Sequence, residues 1–209
     1  RSSHPIIPLH LFQQRPFLLS ALTNFGVVFF WWSALFLLPL YLAHIRGLAP
    51  APIGWLLLFV TVPFALLSPF MARLTRVTGP KLPMVLAFVA LLPAGIIQAF
   101  HEVDTPWSRV ILALVLIGIG AGLAWSPSTA YALANVPKKW AATAAGGLAT
   151  IQDMGGAIGL AVTVAVFHAV SGHTNFLEGF GAAMWLLAAA SMACGCILLI
   201  WMRAALRDT

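Results

Sequence analysis

Asp153 is the one charged residue between Lys139 and Glu178, in a stretch otherwise built of apolar, small and uncharged polar side chains and a few histidines. Counted from Ala142, it lies about 11 residues along, or ~16 Å at the helical rise, near the middle of a ~30 Å hydrocarbon layer. An ionised carboxylate at that depth costs at least about 2.5 kcal/mol. Two readings stay open. Either the carboxyl takes up and releases a proton, as a proton-coupled carrier requires, or it is a structural group. In the second case it is bonded to neighbouring Thr, Gln or backbone, or to a basic residue elsewhere in a longer polypeptide. Helical spacing brings Ala149, Thr150, Gly156 and Ala157 to its face, and Gln152 precedes it. Such a small-residue surface is expected to border a cavity, with Thr150 and Gln152 as its polar contributors.

Phe29, Phe30, Trp31 and Trp32 stand together far from any charge. Aromatic residues normally collect at membrane interfaces, so four rings at mid-span suggest either core packing or stacking on flat or cationic molecules. Trp31 shares a helical face with Asn24, seven residues earlier, and Trp125 shares one with Thr129. Asn24, Trp31, Trp125 and Thr129 are therefore candidate cavity residues. Arg73, Arg76, Gly79 and Lys81 surround a Gly79-Pro80 turn and are expected to form a basic loop, through topogenic charge or as a gate. His44, His101, His168 and His173 fall near one side with Glu102, Asp104 and Glu178. No ligand spacing such as H-x-x-x-H joins them, so no metal site is expected, and interfacial solvation is the simpler role. Ser126 lacks a G-x-S-x-G setting, so enzyme chemistry is not expected either. Cys194 and Cys196, two apart, are read as buried apolar filler.

The elements that position these residues follow from composition. Of 209 residues, 61% are apolar and only 8% charged, against about 25% charged in soluble domains. A soluble globule and a disordered chain are both excluded. Six stretches between charges are each long enough for a membrane helix of ~20 residues. They predict spans over about 17–43, 53–72, 82–100, 107–133, 142–169 and 180–201, the fifth interrupted only by Asp153. Runs such as Leu112 to Ile117 do not alternate as barrel strands must. The expected fold is an all-α membrane protein: residues 1–16 an interfacial linker, 17–203 a six-helix transmembrane domain, and 204–209 a tail.

With the N-terminus cytoplasmic, Arg1, Arg15, Arg73, Arg76, Lys81, Lys138, Lys139, Arg203 and Arg207 lie inside, and only Arg46 and Arg109 outside. That bias accounts for the formal charge of +6 by topology, without a nucleic-acid partner. Three spans per repeat make the second triplet inverted relative to the first, an arrangement found in secondary transporters. The third and sixth spans, almost wholly apolar, are expected to face lipid, and the first, fourth and fifth to surround a polar interior. Gly118/Gly122 and Gly155/Gly159 have the G-x-x-x-G spacing of closely packed helices. Arg1 is not an initiator Met, and the chain is expected to be a piece of a longer one.

Several motifs in order carry a resemblance. They are His4-Pro5, Pro8-Leu9, Leu11-Phe12 and Arg15 to Phe17 at the start, then Leu38-Pro39-Leu40-Tyr41-Leu42 and Gly47. Pro69, Arg73 and Gly79-Pro80-Lys81 come next, then Gly118-x-Gly120-x-Gly122, Val136-Pro137, Gly146 and Gly155-Gly156-Ala157-Ile158-Gly159. Over nearly its whole length the chain resembles the C-terminal six-helix half of a major facilitator superfamily transporter, most like the fourteen-span drug:proton antiporters. Where related sequences commonly carry Arg-Gln before the paired glycines, this chain has Gln152-Asp153. The resemblance implies proton-coupled efflux of small amphipathic substrates by alternating access, across a bacterial inner membrane. It also implies a gating role for the loop at Arg73, Arg76, Gly79 and Lys81, a missing N-terminal half as partner, and no cofactor. The alternative expectation is a transport-inactive fragment or a six-helix scaffold that oligomerises.

Overall fold

The computed structural model describes residues 14–172 and 175–207, without the side chains of Ala72 and of 202–207. It has six long helices, α1 (Arg15–His44), α2 (Pro50–Thr78), α3 (Lys81–Ala99), α4 (Trp107–Ala134), α5 (Ala141–Ser171) and α6 (Phe176–Arg207), with a short 3-10 turn at Lys138–Trp140 before α5. No strand occurs among the described residues. Each helix is long and apolar enough to cross a membrane. Proline opens α1 and α2 within their first turn, where the missing N–H costs nothing. Gly79, at φ +77°, ends α2 in a conformation that side chains disfavour. Pro39, Pro63, Pro69, Pro93 and Pro127 lie inside helices, as membrane spans tolerate.

The basic segment around Gly79 is not a loop. Arg73 and Arg76 belong to the last turns of α2, Lys81 opens α3, and only Gly79 and Pro80 connect them. Charges mark where hydrocarbon ends, but helical hydrogen bonding continues beyond that plane into the headgroups. For the same reason α6 begins at Phe176, before its expected start, and runs on to Arg207.

α1 and α4 form the centre. α1 lies along α5 and α4 lies along α2, a matching pair of contacts that relates the triplets, and α3 packs on both α4 and α6. Leu37, Leu38, Tyr41 and Leu42 of α1 meet Leu114 and Ile117 of α4 in one continuous core. The third span is buried on one face and open on the other: Met84, Ala87, Phe88, Leu91 and Ala94 are buried, whereas Leu82, Leu86 and Val89 are exposed. The least buried span is α2, whose main contact is α4. Lipid and protein core are equally apolar, so hydropathy alone could not rank the spans by burial.

Glycines set the closest approaches. A Cβ on Gly159 would lie 2.7 Å from the Phe29 backbone, and one on Gly155 2.6 Å from the Phe25 carbonyl. On α4, Gly118 faces the Val60 carbonyl of α2, and Gly120 faces Leu91 and Ala87 of α3. The alternating glycines thus bring α4 close to two neighbours at once.

Candidate functional site

Trp31 of α1 and Trp125 of α4, named from helical spacing, converge on Phe64 of α2. The ring centroids are 5.6 Å apart for Trp31–Phe64 and 6.0 Å for Phe64–Trp125, the latter edge to face. All three rings are half-buried, so faces and edges remain open. Beneath them Asn24 Oδ1 accepts a hydrogen bond from Ser128 Oγ at 3.1 Å, while the same hydroxyl lies 3.1 Å from the Trp125 carbonyl. Asn24 is 1% exposed, and its Nδ2 has no hydrogen-bond partner. A buried amide donor left unpaired is costly, so it is a ready contact for a polar substituent. Thr129 lies one helical turn beyond Trp125 and is half-buried. Trp31 also borders a shallow cavity of about 290 Å³ with Trp32, Leu35, Phe36 and Leu160.

Phe64 was not legible in the sequence. It sits on a span with no strongly polar residue near it, and nothing in spacing separates it from its neighbours. The Ser33–Thr163 bridge was equally hidden: Thr163 Oγ1 donates to Ser33 Oγ at 3.2 Å across the α1–α5 seam.

The polar residues of α5 do not join this cluster. Thr150 and Asp153 are exposed and Gln152 is half-buried, so the polar interior is built from Thr23, Asn24, Ser33, Ser128 and Thr163. Thr150 Oγ1 donates to the Gly146 carbonyl of its own helix at 3.0 Å. Asp153 has no hydrogen-bond or ion-pair partner among the described residues. It shares its exposed face with Gly146, Ala149 and Ala157, whereas Gly156 is turned inward against the Trp32 ring. The expected structural bonding of Asp153 to neighbouring Thr, Gln or backbone is therefore absent within the six described helices.

At the basic end Arg73 and Arg76 are exposed, and Lys81 and Gly79 half-exposed. At the opposite end the connections are fastened. Arg46 Nη1 donates to the carbonyls of Val103 at 2.6 Å and Thr105 at 2.9 Å, and its guanidinium lies 4.3 Å from the Trp107 ring centroid. Tyr41 donates its hydroxyl proton to the Glu102 carbonyl at 2.6 Å. His101 is not a solvated interfacial residue: it is 4% exposed, edge-on to Tyr41 and Phe180. Its Nδ1 donates to the Gln98 carbonyl at 2.9 Å. Burial lowers its pKa from the ordinary value, and the Arg46 and Arg109 guanidiniums act in the same direction against the Gln98 bond. His44 and His168 are exposed, and His173 lies outside the described residues. Cys194 is half-buried and Cys196 exposed, so only the first approaches the filler role.

Among known proteins, the Major Facilitator Superfamily model matches residues 20–208. Multidrug resistance protein Stp of Mycobacterium tuberculosis is 30% identical over 81% of this chain and 31% of its own length. Lincomycin resistance protein LmrB of Listeria monocytogenes is 29% identical over 83% of this chain and 36% of its own. Riboflavin transporter RibZ of Clostridioides difficile is 28% identical over 74% of this chain and 34% of its own. The chain thus spans about a third of the length of these curated relatives.

Proposed function

The chain belongs to the Major Facilitator Superfamily, and from that premise we propose that it supplies six spans of a proton-coupled exporter of small amphipathic molecules. The carrying observation is Asp153, a carboxyl at mid-span on an exposed helix face without a partner in its own bundle. Facing lipid, it would incur the full cost of a membrane charge. Facing the remainder of the polypeptide across a hydrated cleft, it can exchange a proton with one side and then the other. The exposed faces of α2 and α5 meet that remainder, and the bundle rocks against it about a midplane site.

Substrate rests on the Trp31–Phe64–Trp125 rings, which accept flat or cationic groups. Asn24 and Thr129 offer hydrogen bonds, and Thr150 and Gln152 line the opposite wall. The relatives' names cover a multidrug protein, an antibiotic resistance protein and a vitamin transporter. Such a range suits recognition by ring faces and a few polar groups better than a fixed hydrogen-bond set. Arg73, Arg76, Gly79 and Lys81 form the gate at the basic end, which is cytoplasmic, as are both termini of this segment, in a bacterial inner membrane.

The test is proton-gradient-driven uptake of a planar cation such as ethidium into everted vesicles carrying the full-length protein. Asp153→Asn keeps the side chain's size and removes the titrating group. It is expected to abolish gradient-driven uptake while membrane abundance and melting temperature stay unchanged. Uptake of unchanged rate and pH dependence would overturn the assignment.

A further inference from the structure

On the far side of α3 from α4, the α3–α6 seam opens into a groove of about 150 Å³ whose walls include Val85, Phe88, Leu92, Met192, Cys196 and Leu199. Gly195 forms its floor, where an added Cβ would lie 3.3 Å from Phe88. Ser191, its only hydroxyl, is 2% exposed and donates to the Leu187 carbonyl at 2.9 Å. The groove therefore offers no free hydrogen-bonding hydroxyl, and what fills it is hydrocarbon. A helix with its side chains is about 10 Å across, too wide for a slot of this volume, whereas an acyl chain is a single row of methylenes.

The register of the two antiparallel helices then fixes what lies at the groove's end. Gly95 faces Ala188, and Gly195 faces Phe88, so each step along α3 is matched by one step back along α6. Continued toward the basic end, that register sets Lys81 level with position 202, one residue before Arg203. Lys81 lies four residues before Val85, and Arg203 four after Leu199, so both positions continue the groove-lining helix faces by one turn. Lys81 makes no hydrogen bond or ion pair among the described residues.

We propose that this groove is a site for an anionic phospholipid of the leaflet at the basic end, one acyl chain lying along the α3–α6 seam and the headgroup phosphate between Lys81 and Arg203. The apolar slot supplies shape, and the two cations select the headgroup charge. The site is independent of the substrate cavity, since α3 and α6 contribute nothing to the aromatic cluster.

The experiment is native mass spectrometry of the purified full-length protein offered equal amounts of phosphatidylglycerol and phosphatidylcholine with identical acyl chains. Phosphatidylglycerol is expected to be retained preferentially. Replacing Lys81 and Arg203 together (Lys81→Ser, Arg203→Ser) is expected to lower that preference by about five-fold for each charge. Gly195→Leu fills the floor and is expected to lower retention of both lipids. Its melting temperature in lipid-free detergent reports folding separately, and the charge pair tests the site if Gly195→Leu fails to fold. Equal retention of the two lipids, an unchanged preference in the double variant, or a protein dimer that Gly195→Leu dissolves would each overturn the proposal.

Discussion

His101, buried in the α3–α4 connection with its pKa lowered by that burial, is expected to make the stability of the fold depend on pH. In the unfolded chain its imidazole takes up a proton at about pH 6.5. In the folded chain burial, with Arg46 and Arg109, delays that uptake to lower pH. Between the two values the unfolded state binds more protons, so stability falls as pH drops below about 6.5 and levels off once the folded value is passed. The melting temperature of the purified protein is expected to decline over that window, and His101→Phe to flatten the decline. A slope that persists in the variant would show that other groups carry it. Deeper in the bundle, Ser128→Ala removes the donor to Asn24 and leaves a second unpaired amide atom, at a cost of about 1 kcal/mol. Ser20, equally buried, has no partner for its hydroxyl, so Ser20→Ala is expected to leave thermal stability unchanged or raise it. Equal losses in the two variants would refute the distinction. Spacing alone put Trp31 and Trp125 among the cavity candidates, because an α-helix repeats its faces whatever surrounds it. Phe64 and His101 escaped because their roles depend on which helix lies opposite, and a single sequence does not encode that locally.

Charge-free intervals located all six helices but not their ends. Arg73 and Arg76 lie within the last turns of α2, since a long basic side chain can reach water from a helix that is still hydrogen-bonded. Polarity pointed to α1 and α4, which are central, but also to Thr150, Gln152 and Asp153 of α5, which lie outside the buried polar set. Glycine spacing was the better guide, because a missing side chain is meaningful only where something occupies its place. The two G-x-x-x-G pairs fall on the α4–α2 and α5–α1 seams, the matching contacts of the two triplets. This makes a sharp contrast within one helix. Gly159→Ala sets a methyl against the Phe29 backbone, which cannot move aside as a side chain would. Gly147, also buried, has nothing within 4 Å of an added Cβ. Gly159→Ala is therefore expected to part α1 from α5, lowering melting temperature and membrane accumulation. Gly147→Ala is expected to gain up to about 1 kcal/mol from helix propensity. Comparable melting temperatures would mean that the α1–α5 seam yields more easily than its backbone contacts imply.

At the scale of the whole molecule, the two ends of the bundle are unlike in construction as well as in charge. Arg46, one of two basic residues at the poorer end, is committed to the Val103 and Thr105 carbonyls and the Trp107 ring. It ties the α1–α2 connection to the α3–α4 connection, so it is a structural cation and weakens no topological argument. The basic end carries Arg73 and Arg76 exposed on the last turns of α2, near the two-residue turn into α3. Positive charge that holds no structure is what the inward side of a membrane protein accumulates. Orientation can be read with a membrane-impermeant thiol reagent on full-length protein from which other cysteines have been removed. Val103, 54% exposed at the fastened end, and Val77, 86% exposed at the basic end, are the probe positions. In intact cells Val103→Cys is expected to react at once and Val77→Cys only after permeabilisation. The reverse pattern would invert the topology and with it the direction in which Asp153 would pass its proton. Reaction at both positions in intact cells would indicate a channel-like opening through the fold, contrary to alternating access.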